Sequence, residues 1–150
     1  MANKKYSIIL NKNLKAMSSG IAMNAIAHTC AQLGTIVPAL QGTAISDASG
    51  SIHAGVPIFA NTILYAKSCQ MSALFKKAIS DKTLTVVDYP KEGYYTVDDN
   101  QFCEAISKKT CEDIEYWAIA IYGDTEKIMP ITKKCSLWST PFEQDRRRCK

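Results

Sequence analysis

No run of apolar residues in this 150-residue chain approaches the roughly 20 needed to cross a bilayer. A membrane-spanning helix is therefore not expected. The opening residues bring Lys4 and Lys5, but then only Ile8, Ile9 and Leu10 before Asn11 and Lys12. That run is too short for the apolar core of a secretory leader, and the cytoplasm is the default location. Glycine-rich phosphate loops, a dinucleotide fingerprint and a Gly-x-Ser-x-Gly elbow are all missing, so no cofactor is expected. The cysteines Cys30, Cys69, Cys103, Cys111, Cys135 and Cys149 include no CxxC pair, and no histidine stands at zinc-finger spacing. They read as reduced thiols. Excess charge is scarce too: the net +4 is matched by Arg146, Arg147, Arg148 and Lys150 alone. Without them the chain is near neutral, which gives nucleic-acid binding no compositional support.

What is present is enough for one core. With 47% hydrophobic and 21% charged residues, the chain reads as a single domain over residues 1–138, followed by a basic tail at 139–150. Residues 6–10 have the β-branched and aromatic character of a buried strand. Ser18 and Ser19 offer caps to a helix over about 20–33, with Gly34 as its stop. A short strand near 43–46, a clear strand at 57–66, a helix at 68–80 and a strand at 84–87 follow. A loop around Pro90 and Gly93 then leads to a helix at 97–109, a strand at 114–122 and a helix at 125–135 in which Pro130 is a potential break. Residues 136–150 read as extended or frayed. The alternation predicts an α/β fold: one central mixed, largely parallel sheet of about four main strands, covered by helices on both faces.

Two places carry candidate chemistry. Asn24 and His28 are four apart on the first helix and project to one face, which Gln32 continues. His28 can serve as a general base with Asn24 holding a carbonyl or orienting the ring, or it can be a half-buried histidine bonded to Asn24. In SDASGSIHAG, at 46–55, Asp47 and Gly50 suit a tight turn, Gly50 at positive φ. The turn does not require His53, so Asp47 and His53 read either as a carboxylate–imidazole pair with Ser49 as nucleophile or ligand contact, or as a plain hairpin. Asp88 is a further base or acceptor, or a cap for the loop before Pro90. Metal binding by His28, His53, Asp47 and Asp88 is a minor alternative.

The segments IILNKNL, SSGIAMNAIAHTCAQLG, DASGSIHAG, TILYA, TVVDYP and WAIAIYGDTEKI together resemble a bacterial family catalogued as domain of unknown function 2000, over about residues 5–137. The resemblance implies the fold of the type II peptidyl-tRNA hydrolases, which cleave the ester between peptide and tRNA using a lysine at the start of the first helix and a later aspartate. Asp88 matches the aspartate, whereas Ser18, Ser19 and Gly20 stand where the lysine belongs and Asn24 replaces a glutamine. The scaffold is therefore expected without that activity. Two functions are open: a small hydrolase acting on an ester or amide through His28, His53, Asp47 and Asp88, or a non-catalytic protein binding a small molecule or partner through Asn24, Ser49 and Gly50. The resemblance also implies a homodimer.

Overall fold

The computed structural model describes residues 3–139. Its strands are β1 (Lys4–Asn11), β2 (Gly42–Ser46), β3 (Ile52–Gly55), β4 (Ala60–Ala66), β5 (Thr85–Pro90), β6 (Tyr116–Asp124) and β7 (Ser136–Leu137). Its helices are α1 (Ser19–Ile36), α2 (Ser68–Ser80), α3 (Glu92–Tyr95), α4 (Asp99–Ser107) and α5 (Thr125–Thr132). α1 runs past Gly34, because the next effective stop is Pro38: its ring restricts Val37, which closes the helix by donating its N–H to Leu33 O at 2.8 Å. The loop around Gly93 contains the single turn of α3. Pro130 is accommodated inside α5, with the Lys77 ammonium donating to its carbonyl at 3.1 Å.

Five strands form one sheet in the order β5-β6-β1-β4-β7, while β2 and β3 pair separately. Only β1 and β4 run parallel; the β1–β6, β5–β6 and β4–β7 pairs are antiparallel. The expected largely parallel sheet is thus corrected to a mostly antiparallel one. The cause lies in the connections. α1 carries the chain from β1 back to start parallel β4, as a crossover does, but α3 and α4 link β5 to a neighbour that runs the other way. β7 and Trp138 come from the segment read as a frayed tail. Trp138 donates its N–H to Ile63 O at 2.9 Å and packs against the core. The basic residues Arg146–Lys150 lie outside the described residues.

Strand alternation sorts the core onto two faces. Ile8 and Leu10 of β1 pack with Ala22, Ala25 and Leu33 of α1, while Ile9 packs on the other side with Met71 of α2 and Ile128 of α5. Ala22 and Ala25 meet Ala118 and Ala120 of β6 in the same cluster, small residues on both partners that let the helix lie close to the sheet. Residues 116–123 of β6 are all buried. The strand departs from strict alternation once: Tyr89 opposes Ala118 and Pro90 opposes Tyr116, leaving Trp117 bulged. Ile119 sits at the centre with no exposed surface. Ile119→Ala is expected to cost about 3 kcal/mol in urea unfolding, through lost transfer energy and a residual cavity; a loss below about 1 kcal/mol would mean this packing is loose.

Candidate functional site

β5 ends beside α1, and its alternation decides which of its residues reach the helix. Val87 and Tyr89 join the α1-side cluster, and Val86 joins the opposite one. Tyr89 turns its ring under His28, with centroids 4.7 Å apart and planes 11° apart. The Tyr89 hydroxyl donates to Asn24 Oδ1 at 3.0 Å, so the ring is held at both its face and its tip. Burial raises the pKa of this phenol, with a smaller contribution from Tyr94. Asn24 therefore orients Tyr89 and not His28, and His28 itself is exposed.

Around this stack lies a pocket of about 290 Å³, lined among others by His28, Gln32, Tyr89, Thr96, Asp98 and Phe102. The bulge in β6 supports α3, whose Gly93 lines the pocket. Trp117 packs on Tyr94 and Tyr95 of α3 at 5.4 and 5.9 Å between ring centroids. Its indole N–H donates to Glu115 Oε1 at 3.3 Å, and Glu115 Oε2 accepts from Lys91 at 3.1 Å, which pins the chain just before α3. Lys109 pairs with Glu92 and ties the end of α4 to the same turn. Gly93 lies so close to Tyr89 that a β-carbon there would come within 2.8 Å of the ring, which Asn24 holds in place. Asp98 caps α4 by accepting from the Gln101 N–H at 2.9 Å. Gln32 Oε1 is buried and has no hydrogen-bond partner among the described residues.

The SDASGSIHAG segment forms the β2–β3 hairpin. Asp47 Oδ1 accepts from the Ser49 N–H, the Ser49 hydroxyl and the Ser51 N–H at 2.8, 2.6 and 3.0 Å, and Gly50 takes φ 87°. Asp47 Oδ2 lies 3.0 Å from His53 Nε2. The Ser49 hydroxyl bond, then His53 and Ser51, hold the Asp47 carboxyl well below the usual carboxylate range. Ser49 donates its hydroxyl proton to Asp47, whose lowered pKa makes it a weak base, and His53 bonds the other carboxylate oxygen, so the imidazole is not placed to activate Ser49 as a nucleophile. Asp47, Ser49 and His53 are all exposed, and Ile45, Ile52, Val56 and Ile58 are exposed alongside them.

The sequence candidates therefore separate into three places. Asn24 and His28 adjoin the pocket, with Gln32 and Tyr89. Asp47, Ser49, Gly50 and His53 form the hairpin, none of them among the pocket's lining. Asp88 faces the other side of the sheet, where it adjoins Tyr116. The single cleft expected for His28, His53 and Asp88 is not formed, because alternation along TVVDYP turns Asp88 away from Tyr89. That same alternation was the available signal for Tyr89. Thr96, Asp98 and Phe102 carried no such signal, since their placement depends on the Trp117 bulge. Among the described residues no three metal-ligating side chains cluster, and no helix is long and apolar enough to cross a membrane.

The architecture is that of an α/β domain, a mixed five-stranded sheet with helices on both faces and a separate two-stranded hairpin. Its family follows from the match: the chain belongs to the family described as protein of unknown function (DUF2000), whose model covers residues 4–139. A solved structure, the protein of unknown function Atu0240 from Agrobacterium tumefaciens strain C58, is similar with a TM-score of 0.81 over 93% of this chain and 100% of that one. At 16% identity this likeness shows the fold alone. No curated protein matches the chain.

Burial raises the pKa of the Asp88 carboxyl, and Asp88 accepts no hydrogen bond among the described residues. The folded state thus binds its proton more tightly than the unfolded state. Stability should fall as pH rises from the ordinary carboxylate value through the raised one. Asp88→Asn is expected to stabilise the protein at neutral pH, with the gain vanishing in acid; equal urea midpoints at pH 7 would contradict the burial. The hairpin behaves differently, because it has few contacts with the body. Asp47→Ala should speed amide hydrogen exchange at Ser49 and Ser51 while leaving the global thermal midpoint unchanged. A fall in that midpoint matching the core variants would show that the hairpin is integral to the core.

Proposed function

We propose that this chain is a binding protein for a small planar molecule carrying an amide or similar hydrogen-bond donor, held in the His28 pocket, on a scaffold related to the type II peptidyl-tRNA hydrolases. The observation that carries this reading is the orphaned carbonyl of Gln32 beside the fixed His28–Tyr89 stack. A buried acceptor left unpaired costs about 1–3 kcal/mol, and a ligand N–H removes that cost. Phe102 and Val97 offer apolar contact to a ring, and the exposed His28 edge offers a second polar contact.

Binding is favoured over hydrolysis by the make-up of the site. The pocket lining includes no serine or cysteine, and the Thr96 hydroxyl donates to Glu92 O at 2.9 Å. The start of α1 bears Ser18, Ser19 and Gly20 where the hydrolases use lysine. The nearest lysine before it, Lys15, lies over the rings of Tyr65 and Trp138 at 4.0 and 5.0 Å from their centroids. A cytoplasmic location and a homodimer belong to the same reading, the first from composition and the second from resemblance.

Benzamide is the test ligand, followed by backbone amide shifts. It is expected to perturb Gln32, Gly93 and Thr96 saturably, more strongly than methyl benzoate, and Gln32→Leu should abolish the effect. Neither compound should be hydrolysed, and peptidyl-tRNA should stay intact. Absent or unsaturable shifts, or equal binding by Gln32→Leu, would overturn the binding reading. Ester or peptidyl-tRNA turnover that His28→Ala removes would restore the hydrolytic one.

A further inference from the structure

The opposite face of the sheet carries a larger cavity, about 560 Å³, between α2 and the end of α5. Its floor is apolar, formed by Ala73, Leu74, Pro130 and Ile131. Lys77, Lys133 and Lys134 line it as well, and no acidic residue does. Among the described residues these three lysines pair with no carboxylate, whereas Lys76, Lys91, Lys108, Lys109 and Lys127 each do. The Lys77 bond to the Pro130 carbonyl leaves further ammonium protons free. Cys69 and Cys135 complete the wall, and burial raises the Cys135 pKa, so that thiol is neutral and adds no competing negative charge.

We propose that this groove binds a single-chain amphipathic anion, an alkyl carboxylate whose chain lies on the α2–α5 floor and whose head meets Lys77, Lys133 and Lys134. The volume is in the range of about 300–1,000 Å³ typical of small-molecule sites. The length of the groove also suits an extended alkyl chain. From Cys69 to Lys77 the helix rises about 12 Å at 1.5 Å per residue, the reach of an alkyl chain of roughly ten carbons. Cationic donors at an apolar groove without acids select a negative head on a nonpolar body.

The test uses the full chain and sodium decanoate below its micelle concentration, measured by calorimetry and by amide shifts at Ala73, Leu74 and Ile131. Decanoate should bind saturably, decanol about tenfold more weakly, and decyltrimethylammonium and acetate not at all. The combined K77Q, K133Q and K134Q variant should keep its thermal midpoint and lose about tenfold in decanoate affinity. Ala73→Phe, which fills the floor, should block decanoate without touching the lysines. Decanol binding as tightly as decanoate, an unchanged affinity in the lysine variant, or no saturable binding at all would overturn the proposal. So would an acidic peptide that binds where decanoate does not.

Discussion

Everything in this domain is arranged around the burial of β6. Residues 116–123 are out of water on both faces, flanked by β5 on one side and β1 on the other, so every side chain on the strand must find a packed partner. On one face Ala118 and Ala120 receive α1; on the other Ile119 and Ile121 receive α2 and α5. A strand buried in this way has little freedom to slip, because a shift of one residue would exchange the two sets. The bulge at Trp117 is the one place where alternation is set aside, and the side chain it releases becomes the support for α3.

The two faces have different chemistry. The α1 face has a fixed stack of His28 on Tyr89, acceptors at Gln32 and Asp98, and an apolar wall at Phe102. The α2–α5 face has an apolar floor with three lysines that pair with no carboxylate among the described residues. Within that second face Asp88 and Tyr116 form a buried polar spot. The Tyr116 hydroxyl has no hydrogen-bond partner among the described residues, and burial, with the Cys111 thiol and Asp88 beside it, pushes the phenol well above its usual range. This spot belongs to the energetics of the core, since burial disfavours the charged form of both groups.

What was legible in the sequence follows the range of the interactions involved. The Asp47 turn could be read directly, because the carboxylate and its partners lie within six residues of one another and Gly50 supplies the one unusual backbone angle. The shared face of Asn24, His28 and Gln32 was equally local, set by helical spacing. Strand direction was not, because it depends on where each connection returns the chain: the helix expected at 97–109 reads as a crossover, yet the connection delivers an antiparallel neighbour. The pocket was hidden for the same reason. Its walls come from Tyr89, Thr96 and Phe102, brought together by contacts between Trp117 and the two tyrosines of α3 that no local pattern announces.

The central claim is that the buried strand, through its bulge, holds Tyr89 and α3 so that His28 lies flat on a fixed ring. The proton chemical shifts of the His28 imidazole test this most directly, because a ring stacked at 4.7 Å shields them. The account predicts upfield His28 resonances in the wild type, restored to ordinary positions in Tyr89→Leu and partly restored in Trp117→Leu, whose site does not touch the histidine. Unshielded His28 resonances in the wild type, or full shielding retained in Tyr89→Leu, would contradict it.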